Sequence, residues 1–374
     1  MRLLEWTMGP VVRDACFQFL GAGIACFVAA LGAGCSASQP QTEEYVFSGS
    51  TMGTFYSVKV AAPPLSSEQA RGIRACVETH LDAVAQAMST YRPDSELSQF
   101  NAFGETTPFR VAPEVAQVFA KAVAVSAKTG GAFDVTVGPL VNAWGFGPQG
   151  EPEAEPSEEE LAALRRRVGY DKLEVDTVAS TIAKSAPDVY CDLSAIAKGY
   201  AVDKLAEGLD ALGFGNYMVE VGGEVRTRGR NSSGDVWRIG IARPIPGVGD
   251  VQRVIALPDL ALATSGDYQN YYERDGKRLS HMIDPVTGRP IAHKLASVSV
   301  IHAECAIADA YATAFMVLGP DEGYTVAEEL GLAALFIVRE NSGVFVEKGT
   351  AAFEALASGD RDTVEPVEES VRGP

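Results

Sequence analysis

Cysteine and histidine are scarce in this sequence. Its 374 residues include six cysteines and four histidines, and three of the cysteines lie in or directly after an apolar N-terminal run. The other three, Cys76, Cys191 and Cys305, show no CxxC spacing and cannot all pair with one another. This pattern excludes a disulfide framework and a cysteine-based zinc site, and we expect small buried side chains at the three positions.

Basic residues are also few. The chain has 31 Lys and Arg against 49 Asp and Glu, which gives a formal net charge of −18. Nucleic-acid binding requires clustered positive charge, so we expect no nucleic acid as a main partner. An acidic protein can still hold a phosphorylated ligand if a metal ion bridges the two. The length and the 47% share of hydrophobic residues predict a globular protein of one large domain or two.

The N-terminus resembles an export signal. Residues 16–34 are apolar or small apart from one glutamine, and two arginines precede them. A short apolar run behind basic residues is typical of a secretory signal, although a run of about 18 residues also fits a membrane anchor. The segment 31–35 (LGAGC) resembles a bacterial lipobox whose Leu lies one place early. We expect lipid attachment at Cys35; an uncleaved anchor and plain secretion are the alternatives.

Composition divides the chain into four segments. We expect a signal peptide with lipobox over 1–35, a polar tether over 36–48, one folded domain over 49–350, and a flexible acidic tail over 351–374.

The folded part combines helices and strands. Alternating apolar residues predict a strand over 54–61, and Ser66 and Gln69 have the spacing of a capping box before a helix. Because the strands come in runs with helices grouped between them, the pattern favours an α+β fold over alternating βαβ units. Further helices are expected over 113–128, after Ser157, after Ser194, and over 305–318 and 321–330; further strands are expected over 217–221, 236–242, 251–257, 260–264, 278–283, 296–302, 333–338 and 344–348.

The segment 192–199 places a carboxylate and a lysine at a loop-to-helix junction. Free N–H groups and the positive dipole end at a helix N-terminus suit a phosphate, and Lys198 adds a positive charge. Asp192 is suited to receive a hydroxyl or an amine from a ligand. The alternative is an ordinary capped helix with a solvated lysine.

Asp309 and Thr313 lie four residues apart on a predicted helix that is otherwise almost wholly apolar. Their oxygens are hard ligands that suit Mg²⁺, although two are too few for a complete site. A carboxylate on a buried helix needs a metal or a charged partner. The alternative is therefore an ion pair between Asp309 and a base elsewhere in the fold.

A histidine and two glycine-containing runs complete the candidates. His281 ends a predicted strand beside the turn 284–288, where it is suited to act as a base near neutral pH; a hydrogen bond to the turn backbone is the alternative. Gly222 and Gly223 follow one predicted strand and the segment 264–268 follows another, and glycine permits close approach of the backbone to a ligand. Neither run has a GxGxxG or Walker pattern, and each alone is typical of a turn.

Taken together and in this order, these segments resemble the ApbE family of Mg²⁺-dependent FAD:protein FMN transferases. The resemblance covers residues from about 50 to about 349 and departs from the family pattern in the imperfect lipobox, in Cys191 before Asp192 and in the long tail. It implies an α+β fold with mainly antiparallel sheets and flanking helices around an FAD cleft. It also implies that the folded domain over 49–350 is the catalytic domain of a flavin transferase. Four more segments carry it: 50–54 (STMGT), 88–91 (MSTY), 95–101 (SELSQFN) and 133–140 (FDVTVGPL).

The resemblance also implies a role for each matching residue. The backbone carbonyl of Ala195 would join Asp309 and Thr313 as ligands of Mg²⁺. His281 is the implied general base near the phosphate under attack, with Asp309 beside the metal as the other candidate. FAD contacts are implied for Met52, Tyr91, Ala132, Phe133, Asp134, Asp192, Lys198, Gly222, Gly223, Ser265 and Ile283.

The implied reaction transfers the FMN moiety of FAD to a Thr or Ser hydroxyl of a target flavoprotein and releases AMP. Mg²⁺ and Lys198 would stabilise the charge gained in the transition state. The implied partners are FAD and flavoprotein subunits of membrane electron-transfer complexes of the quinone reductase or Rnf type. The implied location is the periplasmic side of the inner membrane, with a lipid anchor.

Two other classes of function are compatible with the same residues. An FAD pyrophosphatase would pass FMN to water and yield free FMN with AMP. A passive FAD-binding lipoprotein would show no turnover, but His281, Asp309 and Thr313 argue against it because storage of FAD needs no base.

Overall fold

The fold is described from a computed structural model of residues 42–247, 249–268, 271–274, 277–340 and 343–358. The predicted signal peptide with Cys35, the first part of the predicted tether and the last part of the predicted tail lie outside the described residues.

Helices account for much of the described chain. Two begin with capping boxes: the predicted one at Ser66 with Gln69, and one at Ser157 with Glu160, where the sequence predicts only that a helix starts. The helices are α1 (Ser67–Met88), α2 (Glu96–Ala102), α3 (Pro113–Lys128), α4 (Gly138–Ala143), α5 (Glu158–Arg165), α6 (Ser194–Ala211), α7 (Cys305–Glu329) and α8 (Ala351–Ser358), with a 3-10 turn at Tyr170–Lys172.

The strands are short and separated by turns. They are β1 (Glu43–Thr51), β2 (Thr54–Ala62), β3 (Phe109–Arg110), β4 (Leu173–Asp176), β5 (Thr181–Lys184), β6 (Tyr217–Val221), β7 (Glu224–Arg228), β8 (Arg238–Ala242), β9 (Val251–Ala256), β10 (Ala261–Gly266), β11 (Tyr271–Arg274), β12 (Lys277–Ser280), β13 (Ile283–Asp284), β14 (Arg289–Pro290), β15 (Leu295–His302), β16 (Ala333–Arg339) and β17 (Phe345–Gly349).

An eight-stranded sheet forms the centre of the fold, in the order β1-β2-β6-β7-β10-β15-β16-β17. Every neighbouring pair in it is antiparallel. Smaller sheets are β3-β5-β4, β8-β9, β11-β12 and β13-β14. The predicted α+β class with mainly antiparallel sheets is confirmed.

The two faces of the central sheet bury different sets of side chains. Along β10, Ala261 and Ala263 pack into a large core with α1, α3, α6 and α7, whereas Leu262 packs into a second core with β8, β9 and α8. Strand β16 alternates in the same way, with Phe336 on the helical side and Leu335 on the other. This period of two is why the strands are readable from the sequence, since successive side chains point to opposite faces.

Both ends of the predicted folded domain require correction. The expected tether over 36–48 overlaps β1, whose nine residues pair with β2 from Glu43 opposite Ala62 to Thr51 opposite Thr54. Only Phe47 of this strand is buried, so it lacks the alternation that reveals a strand. The expected loose tail from 351 begins instead with α8, which is anchored by the fully buried Phe353.

Helix α7 contains a break where the sequence predicts two separate helices. Gly319 has φ 83° and ψ −174°, and Pro320 follows it. Proline lacks an N–H, so the carbonyl of Met316 loses its helical donor. The ring of His293 replaces it, with Nε2 2.8 Å from the Met316 oxygen.

The three predicted core cysteines are free thiols. Cys191 and Cys305 are fully buried, and burial raises the pKa of both thiols. Cys76 is only half-buried, and its Sγ lies 3.5 Å from Nδ1 of His80. Among the described residues, no helix has the length and apolar character needed to cross a membrane.

Candidate active site

A cleft of about 1510 Å³ opens beside the central sheet. Its walls are the tip of the β1–β2 hairpin, the C-terminal end of α1, the first turns of α6 and the side of α7, strands β6, β7, β8 and β10, and the segment 281–285. All the residues that the resemblance assigns to FAD, metal or catalysis line this cleft: Met52, Tyr91, Ala132, Phe133, Asp134, Asp192, Ala195, Lys198, Gly222, Gly223, Ser265, His281, Ile283, Asp309 and Thr313.

Two tight hairpin turns form one wall of the cleft. Met52 and Gly53 connect β1 to β2 with φ values of 45° and 71°, and Gly222 and Gly223 connect β6 to β7 with φ values of 62° and 102°. Two-residue hairpin turns of this kind need positive φ at both positions. Met52 is therefore a strained non-glycine residue at the tip. The two turns are joined, because Gly222 N–H donates to the Phe55 carbonyl at 2.9 Å.

Lys198 is the central charge of the cleft. Its Nζ lies 2.7 Å from Oε1 of Glu224 and 3.5 Å from Oδ1 of Asp309. Burial disfavours the ammonium form, but the two carboxylates outweigh it and raise the pKa of Lys198 above its usual value. The lysine is thus a fixed cation rather than the solvated lysine of the alternative interpretation.

Glu224 is the most informative cleft residue for which the sequence predicted no charge partner. It begins β7 and is only 2% exposed. Its Oε2 has no hydrogen-bond partner among the described residues. Burial raises the pKa of Glu224, with the Lys198 charge opposing the shift. The sequence does contain one indication that Glu224 is buried: it directly follows a Gly-Gly turn, which places it opposite the apolar Val221 in the hairpin.

Asp309 is carried on α7 and is 2% exposed. Its Oδ2 accepts a hydrogen bond from the backbone N–H of Gly199 on α6 at 3.0 Å. The two helices can approach this closely because residue 199 is glycine: a Cβ there would lie 2.4 Å from the Cys305 carbonyl oxygen. The sequence left open an ion pair between Asp309 and a base, and in this structure Lys198 is that base.

Thr313 lies one turn further along α7, and its Oγ1 is 3.2 Å from Oγ of Ser265 on β10. Ala195 lies in the first turn of α6 and lines the same cleft. The carboxylate of Asp309 and the hydroxyls of Thr313 and Ser265 are oxygens of the kind that suits a hard cation such as Mg²⁺.

Within the described parts of the chain, no three His, Cys, Asp or Glu side chains are grouped so that they could hold a metal ion. The donor set around Asp309 nevertheless fits Mg²⁺, because the buried Oε2 of Glu224 and the hydroxyl pair add oxygens to the Asp309 carboxylate. Magnesium commonly takes only one or two carboxylates and completes its shell with substrate phosphates and water.

Asp192 lies just before α6. Its Oδ1 accepts from Ser194 N–H at 2.8 Å, so one oxygen is bound to the backbone at the start of the helix, although the N-cap residue Leu193 makes no side-chain cap hydrogen bond. Asn101 fixes this loop from behind: its side chain accepts from Cys191 N–H at 2.7 Å and donates to the Cys191 carbonyl at 2.8 Å. Asn101 was visible in the sequence only as part of the motif over 95–101.

Asp134 lines the cleft but uses its carboxylate on its own chain. Its Oδ1 accepts from the N–H and hydroxyl of Thr136 at 2.8 and 2.7 Å, and its Oδ2 accepts from Tyr170 N–H at 2.8 Å. Burial raises the pKa of Asp134 against these hydrogen bonds. The geometry indicates that this residue shapes the wall formed by Ala132 and Phe133, which are both buried.

Aromatic side chains surround the outer part of the cleft. Tyr91 is 66% exposed, and its hydroxyl lies 3.4 Å from the Phe146 carbonyl. The ring of Phe146 meets the ring of His281 edge-on, with centroids 6.3 Å apart. His281 follows β12 and is half-buried, and the nearby Ile283 packs with Leu140, Trp144 and Leu161 in a third small core. The predicted turn after it is present, with Gly288 at φ 74°.

Comparison with known proteins points to one family. The chain matches the model of the ApbE family over residues 52–336. It is 43% identical to the FAD:protein FMN transferase of Vibrio cholerae serotype O1 over 326 residues, which cover 87% of this chain and 96% of that protein. It is 42% identical to the FAD:protein FMN transferase of Escherichia coli K12 over 80% of this chain and 85% of that protein.

Solved structures agree with the sequence relatives. The flavin transferase ApbE from Vibrio cholerae superposes with a TM-score of 0.76 at 42% identity and covers 84% of this chain and 99% of its own. The apo flavinyl transferase ApbE from Pseudomonas stutzeri superposes with a TM-score of 0.77 at 40% identity and covers 85% of this chain and 98% of its own. On its sequence, its fold and the match of most of its length, this chain belongs to the ApbE family.

Proposed function

We propose that this chain is an FAD:protein FMN transferase. It moves the FMN moiety of FAD to a Thr or Ser hydroxyl of a target flavoprotein and releases AMP. One observation carries the proposal: Lys198, Asp309 and Thr313 converge in a single cleft of a chain that is over 40% identical to proteins named for this activity.

The size and lining of the cleft suit a dinucleotide. Its volume of about 1510 Å³ exceeds the range of about 300–1,000 Å³ that holds drug-sized ligands. Apolar and aromatic walls at Met52, Tyr91 and Phe133 offer contacts to a flavin ring. The charged centre at Lys198 suits the pyrophosphate, which lies between the two halves of FAD.

The chain's own residues supply binding and charge stabilisation. The start of α6 lines the cleft at Ser194 and Ala195, where the positive dipole end of the helix favours an anion, and Lys198 in the second turn adds a positive charge that favours phosphate oxygens. Lys198 is held in place by two carboxylates, so it needs no reorganisation when charge develops on the leaving phosphate.

Asp309, Thr313 and the carbonyl of Ala195 would hold Mg²⁺. When bound, the ion would neutralise pyrophosphate charge and polarise the phosphorus under attack. Glu224 lies beside this set and keeps Lys198 oriented toward it.

The transfer step balances without any redox partner. The acceptor hydroxyl oxygen forms a bond to the FMN phosphorus, the bond from that phosphorus to the bridging oxygen breaks, and AMP leaves with the bonding electrons. The hydroxyl proton goes to a base, for which we propose His281, because it lines the cleft and an imidazole titrates near neutral pH. Asp309 is the other candidate.

A mass measurement tests the proposal. The purified chain is incubated with FAD, Mg²⁺ and a peptide that contains a flavinylation-type Thr, and the peptide mass and AMP are measured. A gain equal to FMN together with AMP is expected. AMP with free FMN and an unmodified peptide would indicate an FAD pyrophosphatase, and bound FAD without AMP would indicate a passive binder.

The variant Asp309→Ala is the matched control for that measurement. Removal of the buried carboxylate should abolish Mg²⁺-dependent turnover while the far-ultraviolet circular dichroism stays unchanged. Undiminished turnover of this variant at low Mg²⁺ would contradict the metal assignment.

We also propose a lipid anchor at Cys35 on the periplasmic side of the inner membrane, where target subunits of electron-transfer complexes would be reached. The support is the apolar run and lipobox-like segment before that cysteine. Radioactive palmitate supplied to growing cells should label the wild-type protein and leave Cys35→Ala unlabelled. A wild-type protein without label would contradict the lipid anchor.

A further inference from the structure

We propose that Asp203 is a positioning residue for the cleft: it holds the first turn of α7 and thereby sets the place of Asp309 relative to Lys198. The inference rests on the proposed function, in which Asp309 is a metal ligand. Asp203 itself is not among the residues that line the cleft.

Both carboxylate oxygens of Asp203 reach from α6 to the start of α7. Cys305 N–H donates to Oδ1 at 3.0 Å, and Ala306 N–H donates to Oδ2 at 2.9 Å. The guanidinium of Arg226 also bonds Oδ1. Asp203 is 5% exposed, so these partners replace the water that a buried carboxylate would otherwise need.

Helix α7 has no cap of its own. Its N-cap residue, Glu304, makes no side-chain cap hydrogen bond, and the first turn contains no acidic residue. The Glu304 carboxylate pairs with Lys121 on α3 instead. The first N–H groups of a helix have no partner within it, so α7 depends on the carboxylate that α6 supplies.

The two helices exchange carboxylates in opposite directions. Asp203 of α6 binds the N–H groups of Cys305 and Ala306, and Asp309 of α7, one turn further on, binds the N–H of Gly199, one turn before Asp203. The absence of a side chain at Gly199 lets the backbones meet. This pair of contacts fixes both the rotation and the translation of α7 against α6.

Strand β7 ties the same arrangement to the sheet. Glu224 and Arg226 are two residues apart and point to the same face, and they pair with Lys198 and Asp203 of α6 respectively. Loss of the Asp203 carboxylate would leave two buried N–H groups without an acceptor and release the start of α7. Misplacement of a ligand by about 1 Å is enough to cost 10²-fold in a preorganised site.

The test compares Asp203→Asn with Asp210→Asn. Asp210 also lies on α6, pairs with Arg228 of β7 and accepts the Tyr217 hydroxyl at 3.0 Å, but it caps no helix. Binding of Mn²⁺ in the presence of FAD is measured from the electron paramagnetic resonance signal of free Mn²⁺, and KM for FAD and kcat are measured separately.

We expect Asp203→Asn to raise the Kd of Mn²⁺ by about tenfold, in the range found for residues that orient metal ligands, while Asp210→Asn leaves it unchanged. Deuterium exchange at the amides of 305–309 should rise only in Asp203→Asn. The apparent half-saturating Mg²⁺ concentration should rise with it, whereas KM for FAD at saturating Mg²⁺ should change little. Mn²⁺ binding by folded Asp203→Asn equal to that of Asp210→Asn would overturn the inference.

A second pair of variants covers the case in which Asp203→Asn does not fold. Arg226→Gln keeps the capping carboxylate but removes the cation that orients it, and it should weaken Mn²⁺ binding by about threefold, below the range of direct orienting partners. Arg228→Gln is its control, and equal affinities of the two would overturn the inference. If instead Asp309→Ala leaves Mn²⁺ binding intact, the metal assignment of the proposed function fails and the positioning role of Asp203 falls with it.

Discussion

At the scale of single residues, the cleft depends on a lysine shared by two buried carboxylates. When both are ionised, Glu224 and Asp309 carry one more negative charge than Lys198 can offset, and the burial that raises the pKa of Glu224 opposes this state while the site holds no further cation. An excess of buried negative charge favours the arrival of a cation and resists a bare anion. The cleft is thus poised for a ligand that carries both, such as a metal-bound pyrophosphate.

The residues of this triangle could be predicted one by one but not as a group. Lys198 and Asp309 each stand out, one at a helix start and the other as a carboxylate on an apolar helix. Nothing in the sequence places them together, because the contact depends on how α6 packs against α7. The pairing of Glu224 with Lys198 could not be predicted for a different reason. A Gly-Gly turn accounts for the two glycines but does not indicate which partner the following residue has.

His281 provides the first prediction. His281→Ala should lower kcat by about 10²–10⁴-fold if this imidazole is the base, because general-base catalysis typically contributes that much. FAD affinity should stay within a few fold, since Met52, Tyr91 and Phe133 still line the cleft. The measurement is single-turnover AMP release beside FAD titration by fluorescence quenching.

The converse result has a clear meaning. A weakened FAD affinity with a normal residual rate would make His281 a binding residue and leave Asp309 as the base. Phe146→Leu serves as the control, because it removes the ring that meets His281 edge-on but leaves the imidazole.

At the scale of elements, local chemistry was the most readable part of the chain. The capping box at Ser66, the helix start at Ser157 and the helix at Pro113–Lys128 occur where the sequence predicts them, because caps and proline at the first helical turn act over a few residues. Strand β1 and helix α8 were missed. Each contains a single buried side chain, Phe47 or Phe353, and one buried position leaves no periodicity to detect.

The break in α7 provides a prediction about pH. Burial lowers the pKa of His293, against the opposing effect of its hydrogen bonds to backbone carbonyls. Nδ1 accepts from Leu295 N–H at 3.3 Å, so protonation would set two N–H groups against each other. The unfolded chain takes up a proton at about pH 6.5, whereas the folded chain does so only at lower pH.

Stability should therefore be complete above about pH 6.5 and fall as the pH drops from there toward the folded pKa. The slope for this one group is at most about 1.4 kcal/mol per pH unit. Urea unfolding between pH 5 and 8 checks it. His293→Gln should lose this part of the dependence; an identical slope in both proteins would show that His293 does not contribute.

At the scale of the whole molecule, fold class was predictable but topology was not. Strands in runs with grouped helices indicate α+β from the sequence alone. The order β1-β2-β6-β7-β10-β15-β16-β17 joins strands far apart in the chain, such as Val60 of β2 opposite Tyr217 of β6. Such pairings are set by the fit of whole faces, which no local window of sequence contains.

The C-terminal end gives a prediction at this scale. Phe353 is fully buried in the second core, so Phe353→Ala should lower the free energy of unfolding by about 3–5 kcal/mol. Truncation after residue 358 should leave the thermal midpoint unchanged, and truncation after residue 350 should lower it at least as much as Phe353→Ala. Equal midpoints for the two truncations would show that α8 adds nothing to the second core.

The long-range order of the central sheet also has a consequence for synthesis. The cleft takes its walls from Met52 at one end of the domain and from Asp309, Thr313 and Val317 near the other. A ribosome must therefore complete almost the entire domain before any substrate can be held. Contacts between distant segments form slowly, because the loop they close must be ordered first. FAD can thus bind and stabilise only a completed domain, and a nascent or truncated chain gains no stability from FAD.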